Sequence, residues 1–297
     1  MADPTRPTLQ SLLGFSCAIR IVDVGANPID GEVPYAPLRA AGHSVVGFEP
    51  NLDALAALIA KKGANETYLP HVIGDGRRHK LRYCASPGMT SLLEPNQTLL
   101  ALFRGFPEWS RVVRTEEVET VRLDDLAETA GLDLLKIDIQ GAELMVFENA
   151  VERLKGALVI HTEVEFLPMY VDQPLFSDID QFLRRHGFVL HRFEPLVSRV
   201  VGPLSADSDP YDGFSQLVWA DAIYVRDFQR LALLESDQML RLASILHDCY
   251  GSYDLALHAL TEHDRRNGTR HGENYRAILL RARQAAVNRI SKQSASP

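Results

Sequence analysis

Acidic and amide side chains follow several short apolar runs of the sequence, at the point where each run ends. Asp23 and Asn27 close one run, Glu49 closes the next, and Asp75 follows a third. In an open α/β sheet, the carboxyl ends of the parallel strands meet at one edge, and ligands bind there. A carboxylate after the second strand can accept hydrogen bonds from both hydroxyls of a ribose. The pattern therefore predicts a site for an adenosine-containing ligand.

The loop after the first run allows two adenosine-containing ligands, NAD and S-adenosylmethionine, to be distinguished. It reads DVGANPIDGE, in which Gly25 permits close approach of the backbone to a ligand. The loop lacks the G-x-G-x-x-G pattern that lets a helix N-terminus meet a pyrophosphate. Asp30 and Glu32 lie near the start of the next helix, where they would repel a pyrophosphate. The loop therefore favours S-adenosylmethionine (SAM), a sulfonium cation without phosphate, over NAD.

A second group of polar side chains lies further along the chain. Asp138 ends a predicted strand, and His161, Glu163 and Glu165 alternate at the end of the following one. Methyl transfer to an aliphatic hydroxyl requires alignment of the acceptor and removal of its proton. Two routes stay open. Either His161 or Glu163 acts as a general base, or Asp138 with Glu163 or Glu165 holds a divalent cation such as Mg²⁺ that lowers the pKa of the hydroxyl.

The elements that position these residues alternate between strand and helix. Strands are predicted over 18–24, 44–48, 67–73, 134–138, 157–163, 188–192 and 216–225, and helices over 34–41, 52–62, 142–154 and 175–186. The less regular part, 76–123, contains two more predicted strands, 80–85 and 111–123. The variable loop 195–213 leaves no room for a crossover helix, so the last strand is expected to be antiparallel. The alternation predicts an α/β fold with a doubly wound, seven-stranded, mostly parallel, Rossmann-like sheet.

From residue 228 onward the pattern is purely helical, with helices expected over 238–247, 253–262 and 274–290. We therefore predict a catalytic domain over residues 14–228, a C-terminal helical extension over 229–290 and a disordered tail over 291–297. The helices of the extension carry leucine-rich faces that must be buried. Burial within the protein, a homodimer and a partner helix all satisfy that need, and we expect some self-association through this region.

Composition and charge exclude several classes of protein. The chain has 297 residues and a formal net charge of -8, which argues against nucleic acid as the partner. Its three cysteines are far apart and show no CxxC spacing, which fits a reducing cytoplasm rather than a disulfide framework or a zinc site. We find no secretory signal and no apolar run near the roughly 20 residues of a membrane span. A soluble, cytoplasmic protein is expected.

Four strings resemble the FkbM family of methyltransferases: DVGAN, GFEPN, VRLDDLAE and, most specifically, DLLKIDIQGAELMVFENA. In that family the fourth strand runs into a K-I-D-x-x-G-x-E motif, which here spans Lys136 to Glu143. The resemblance covers about residues 19–225. Family members commonly have a glycine sooner after DVGAN and an acidic residue where Gln140 stands. The resemblance implies a class I methyltransferase fold, SAM as methyl donor, and O-methylation of sugars, glycans or related natural products.

Strand ends and motifs together give the predicted site. The predicted SAM-binding residues are Asp23, Gly25, Ala26, Asn27, Glu49, Pro50, Asn51, Gly74, Asp75, Ser91, Asp138 and Gln140. The predicted catalytic residues are Asp138, His161, Glu163 and Glu165, and the predicted cation ligands are Asp138, Glu163 and Glu165. Lys136 is expected to be structural, because the strand before it is buried in a parallel sheet.

Loop aromatics are candidates for stacking on a sugar ring, although such residues more often anchor a loop to the core. They are Phe103, Phe106, Trp109 and Tyr170. Two other functions remain open at this point. One is an NAD-dependent sugar-modifying enzyme on a similar sheet, and the other is a non-catalytic SAM-fold module that binds a partner through its helical tail.

Overall fold

A computed structural model of the chain describes residues 7–27, 31–204, 209 and 211–293. Its strands are β1 Arg20–Val24, β2 Ser44–Phe48, β3 Glu66–Leu69, β4 Val72–Ile73, β5 Arg78–Cys84, β6 Val112–Val121, β7 Leu134–Ile137, β8 Val159–Glu165, β9 Phe188–Arg199 and β10 Gln216–Arg226. Its helices are α1 Leu9–Leu13, α2 Ala36–Ala40, α3 Leu52–Lys61, α4 Gln97–Leu100, α5 Phe106–Trp109, α6 Glu143–Glu148, α7 Val151–Gly156, α8 Phe176–Arg185, α9 Ser236–Asp248, α10 Tyr253–Asn267 and α11 His271–Gln293.

The main sheet has seven strands in the order β3-β2-β1-β7-β8-β10-β9. All neighbours pair in parallel except β10, which is antiparallel to both β8 and β9. The predicted α/β fold, with a mostly parallel sheet and a reversed last strand, is therefore confirmed. The strand order reverses between β1 and β7, which is where ligands bind in folds of this kind.

The predicted strand 67–73 is wrong as a single element, because the chain leaves the main sheet halfway. Pro70 follows β3 and has no N–H to donate to a sheet ladder. The chain turns there, and β4 joins a second sheet in the order β4-β6-β5. Asp75 therefore follows a strand of the second sheet instead of a strand of the main one.

Two further elements differ from their predicted extents. The predicted helix 142–154 is divided into α6 and α7, because the Asp124 carboxylate accepts hydrogen bonds from the N–H groups of Glu152 and Arg153 and so starts a new helix there. Strand β9 continues to Arg199, where it still pairs with Gln216 of β10. The first part of the predicted loop 195–213 is therefore strand.

The chain forms two compact units. One, the sheet unit, comprises residues 19–32 and 43–227, and the other, the helical unit, comprises the described parts of 1–18, 33–42 and 228–297. The sequence-based boundaries 14–228 and 229–290 stay predictions. Helix α11 runs to Gln293, so the disordered tail predicted from residue 291 begins in helix, and the rest of that tail lies outside the described residues.

Inside the helical unit, the leucine-rich faces are largely buried. Leu242, Ile245, Leu246 and Leu260 are at most 1% exposed. The predicted need to bury these leucines is thus met in the folded chain. Across the described part of the chain, no helix combines the length and the hydropathy needed to cross a membrane.

Candidate active site

Gly25 lies where the loop after β1 meets the loop after β7. The N–H groups of Gly25 and Ala26 donate to the Phe48 carbonyl at 3.0 and 3.1 Å, which ties this loop to the end of β2. Gly25 has a φ of 80°. A Cβ at this position would collide with the carbonyl oxygen of Asp138. Only glycine therefore combines this backbone conformation with the close approach of the two loops.

Glu49 follows β2 and is 7% exposed. Its carboxylate accepts a hydrogen bond from the Asn51 N–H at 2.7 Å. Burial raises the pKa of Glu49, and the charge of Asp23 adds to that rise, whereas the N–H groups of Asn51 and Asn27 oppose it. Glu49 thus lies between the loops that follow β1 and β2, and its predicted contact with a ribose stays a prediction. The Asn51 side chain caps helix α3, and Pro50 joins these two residues.

Lys136 provides a positive charge beneath these loops. Its Nζ lies 3.6 Å from Asp23 Oδ1, 3.9 Å from Asp138 Oδ2 and 3.5 Å from the Gly25 carbonyl oxygen. Although burial acts in the opposite direction, the carboxylates of Asp23 and Asp138 raise the pKa of Lys136, so the ammonium stays charged. Sequence reasoning treated Lys136 as structural and missed that it neutralises two of the predicted site residues.

Gln140 joins two of the predicted catalytic carboxylates. Its Nε2 donates to Asp138 Oδ1 at 3.0 Å and to Glu163 Oε2 at 2.7 Å. The Tyr170 hydroxyl donates to Gln140 Oε1 at 3.1 Å, and the Ser91 hydroxyl donates to the main-chain carbonyl of Gln140 at 2.7 Å. Five residues from three parts of the chain, around 91, 138–140 and 163–170, therefore meet at the carboxyl ends of β7 and β8.

Glu143 shapes the loop that carries Asp138 and Gln140. It is fully buried, and its two carboxylate oxygens accept from the N–H groups of Ile139 and Gly141 at 2.8 and 2.9 Å. Sequence reasoning quoted Glu143 as part of a motif but gave it no role. The signal was present, because an acid at the start of a helix commonly folds back onto preceding N–H groups.

His161 is paired with a residue that sequence reasoning missed. Its Nε2 lies 3.2 Å from Oδ2 of Asp221 on strand β10. Asp221 is the register partner of Glu163, so it lies on the same side of the sheet and at the same edge. Lys136 is the register partner of His161 in the neighbouring strand. A histidine held by a carboxylate is suited to accept a proton from an acceptor hydroxyl.

Comparison with known proteins assigns this site to a family. A family model described as the methyltransferase FkbM domain matches residues 23–190, more than half of the chain. This chain belongs to the FkbM methyltransferase family. The resemblance inferred from the motifs is confirmed, and the protein is a SAM-dependent methyltransferase. No curated protein matches the sequence.

Several solved structures are similar to this FkbM-family chain at low identity. Precorrin-6y C5,15-methyltransferase from Geobacter metallireducens is 14% identical, with a TM-score of 0.33, and the match covers 73% of this chain and 86% of that one. A candidate tRNA (m1A22) methyltransferase from Streptococcus pneumoniae is 11% identical, with a TM-score of 0.36 and coverages of 91% and 97%. LepI in complex with SAM is 12% identical, with a TM-score of 0.29 and coverages of 75% and 49%.

The acids of this FkbM-family site repel one another in a poorly solvated setting. Burial raises the pKa of Glu163 well above its ordinary value, and the charges of Asp138 and Glu165 raise it further. Burial likewise raises the pKa of Glu165, with Glu143 and Asp138 adding to the rise. Strongly perturbed acids in one cluster are typical of catalytic or ion-binding sites.

Gly74 and Asp75 have a different environment from the rest of the predicted SAM-binding set. The Gly74 N–H pairs with Val121, and the Asp75 carboxylate accepts from the Arg77 N–H at 3.0 Å and lies 2.8 Å from His79 Nε2. Burial opposes the effect, but these hydrogen bonds lower the pKa of Asp75. The carboxylate thus stabilises the turn between β4 and β5, and its predicted contact with SAM stays a prediction.

The loop aromatics of this FkbM-family protein are mostly anchors. Phe103, Phe106 and Tyr170 are at most 3% exposed and belong to one hydrophobic cluster. Trp109 is half-buried and stacks on Tyr211, with ring centroids 5.4 Å apart and an interplanar angle of 21°. Tyr211 itself is 65% exposed. Of the predicted stacking residues, Trp109 is therefore the one that contributes to an exposed aromatic surface.

Proposed function

We propose that this protein is an O-methyltransferase that transfers the methyl group of SAM to a hydroxyl of a sugar, a glycan or a related natural product. One observation carries the proposal: the Gln140 amide joins Asp138 and Glu163 at the carboxyl ends of β7 and β8, beside the loop of Gly25, and His161 lies two residues before Glu163 on the same face of β8. Groups that can accept a proton thus adjoin the position expected for the methyl donor.

The donor site of this proposal is the group of loops after β1, β2 and β7. Glu49 is proposed to accept hydrogen bonds from the ribose hydroxyls, and the main chain of residues 25–27 to border the methionine part of SAM. Asp23 and Lys136 form an ion pair at 3.6 Å below that loop. Because SAM carries a sulfonium cation, the acidic surroundings formed by Asp138 and Glu163 favour its binding.

The proposed chemical step is an in-line displacement. A lone pair of the acceptor oxygen forms the new C–O bond while the C–S bond breaks, so the sulfonium becomes a neutral thioether. The hydroxyl proton passes to His161, oriented by Asp221, or to Glu163, whose raised pKa makes it a stronger base than an ordinary carboxylate. In the second route, Asp138, Glu163 and Glu165 would hold a divalent cation, which would lower the pKa of the acceptor hydroxyl.

The acceptor class is supported by the exposed aromatic surface of Trp109 and Tyr211. Stacked, partly exposed rings offer an apolar face to the C–H groups of a sugar. Truncation of Tyr211 to alanine is expected to raise the KM for a sugar acceptor with little change in kcat, because Tyr211 carries no proposed chemical role.

Two further proposals concern the oligomeric state and the cellular location of the enzyme. A homodimer through the helical unit is supported by two exposed apolar residues, Leu233 and Leu280, which are 77% and 55% exposed. A cytoplasmic location is supported by the cysteines, since Cys17, Cys84 and Cys249 are all free thiols. Sedimentation of the full chain over a range of concentrations tests the first of these.

A transfer assay tests the proposed function. The full chain is incubated with methyl-labelled SAM and a panel of monosaccharides, glycosides, their deoxy analogues and a tRNA, with and without Mg²⁺. We expect label on a sugar or glycoside, as a methyl ether, and none on the analogue that lacks the reacting hydroxyl. Label on the tRNA, or on nitrogen instead of oxygen, would contradict the proposal.

A further inference from the structure

Three acids at the sheet edge have the spacing of metal ligands. Carboxylate oxygens of Asp138, Glu143 and Glu163 all lie within 4.8 Å of one another. Asp138 and Glu143 flank the loop after β7, and Glu163 belongs to β8, so two elements of the main sheet hold the group in place. Each carboxylate oxygen has two lone pairs, and the hydrogen bonds from Ile139 and Gly141 to Glu143 therefore leave positions for another ligand.

Glu165 gives independent support for a missing cationic partner. Glu165 is 1% exposed, and its Oε2 has no hydrogen-bond partner among the described residues. Glu165 lies two residues beyond Glu163 on β8, so the two side chains leave the same face of the strand at its carboxyl end. The neutral side-chain amide of Gln173 lies beside the Glu165 carboxylate and favours its charged form without supplying a charge. A buried carboxylate oxygen without a donor is costly, and a cation removes that cost.

Gln140 takes the central position between two of these acids. Its amide nitrogen donates to both Asp138 and Glu163, at 3.0 and 2.7 Å, where one cation could contact both. Gln140 is also a non-glycine residue with a φ of 61°. A neutral amide between two carboxylates reduces their repulsion without supplying a charge, so it can be exchanged for an ion by rotation of the side chain.

We propose that Asp138, Glu143, Glu163 and Glu165 form a site for one hard divalent cation, which the Gln140 amide closes when no ion is bound. Oxygen donors without nitrogen or sulfur select Mg²⁺, Mn²⁺ or Ca²⁺. The proposal adds Glu143 to the ligands expected from sequence and gives Gln140 the role of a displaceable bridge. The use of the cation to activate an acceptor hydroxyl rests on the proposed function, but binding of the ion does not.

The test is a titration of the metal-free full chain with Mn²⁺, followed by the EPR signal of the free ion. We expect one ion per chain in the wild type, and an affinity at least 10-fold to 100-fold lower in the double variant E163Q/E165Q. The matched control is E117Q/E119Q, which changes two acids with the same spacing on β6, where both are exposed. The control is expected to bind Mn²⁺ as the wild type does.

A second variant keeps the test informative if the double variant folds poorly. Gln140→Ala removes the amide bridge and no carboxylate, so Mn²⁺ binding is expected to equal or exceed that of the wild type. Mn²⁺ should also raise the Tm of the wild type, the control and Gln140→Ala, since a ligand stabilises the state that binds it. Absence of Mn²⁺ binding by the wild type, or equal binding by the folded double variant, would overturn the site.

Failure of this inference and failure of the proposed function are separable. SAM calorimetry and the transfer assay are run in metal-free buffer and again with Mn²⁺. SAM binding and transfer without any Mn²⁺ binding overturn the cation site alone. Mn²⁺ binding without SAM binding or transfer supports the cation site and overturns the proposed function.

Discussion

Asp264 in the helical unit and Glu163 at the edge of the main sheet are both half-buried acids, yet their hydrogen-bond donors differ. Asp264 accepts from the N–H groups of His271 and Gly272 at 2.8 and 2.7 Å and from the Thr269 hydroxyl. Burial acts against it, but these hydrogen bonds lower the pKa of Asp264. Its carboxylate is fully used to start helix α11.

Glu163 has a neutral amide as a donor and other acids as neighbours. Gln140 shares one amide nitrogen between Glu163 and Asp138, while Asp221 lies opposite Glu163 in the sheet register. Like charges directly opposite one another destabilise a sheet. The difference indicates that Asp264 serves the fold, whereas Glu163 is held in a costly environment that serves a site.

The largest effect of a substitution is expected at Glu163, which has fewer hydrogen-bond donors than Asp264. Glu163→Gln keeps the size of the side chain and one acceptor oxygen for the Gln140 amide, but removes its charge and its basicity. Turnover of the methyl acceptor is expected to fall by about 100-fold to 10,000-fold, the usual contribution of a catalytic base. The exposed variant Glu152→Gln is the control. Full turnover in Glu163→Gln would remove Glu163 from both proposed routes.

An effect of intermediate size is expected at Asp248 in the helical unit. Burial raises the pKa of Asp248 to about 6, and the Leu9 N–H is the donor that partly opposes the rise. An acid with a raised pKa in the folded state favours folding below its unfolded pKa, and this stability is lost as the pH rises through about 6. Urea unfolding of the wild type should therefore show a loss of about 3 kcal/mol between pH 4 and 7 from this group.

Asp248→Asn is expected to lack that part of the pH dependence, because the amide oxygen still accepts from Leu9 and carries no charge. The two proteins are compared at each pH by their free energies of unfolding. A constant difference between them across this range would show that Asp248 has an ordinary pKa in the folded protein.

The smallest effect is expected at Asp264. Asp264→Ala leaves two N–H groups at the start of α11 without their acceptor and should cost about 1 kcal/mol of stability, as the loss of a helix cap does. SAM affinity should not change, since Asp264 serves the fold alone. A drop in SAM affinity at unchanged stability would contradict the assignment of Asp264 to the fold alone.

Residues at the ends of parallel strands could be predicted from the sequence. The alternation of apolar runs and helical segments predicted a mostly parallel sheet, and the shared edge of such a sheet predicted that Asp138 and Glu163 lie close together, as both do around Gln140. The motif identified the loop of Gln140, although the bridge formed by its amide depends on a backbone conformation that sequence patterns do not reveal.

The remaining features depend on pairing across the sheet. Asp221 could not be assigned to the site, because its position beside Glu163 follows from the register of the antiparallel strand β10. Lys136 was hidden in a buried strand, where its partners come from neighbouring strands. The departure of β4 from the main sheet followed from Pro70, which an apolar run concealed.

Calorimetric titration of the full chain with SAM tests the central claim most directly, that the sheet edge is a methyl-donor site. The account predicts micromolar binding of SAM by the wild type and by the exposed control Glu117→Ala, no binding of NAD, and an affinity lowered about 10-fold or more in Glu49→Ala, which loses a charged hydrogen-bond acceptor. Unchanged SAM affinity in Glu49→Ala, or binding of NAD in place of SAM, would contradict it.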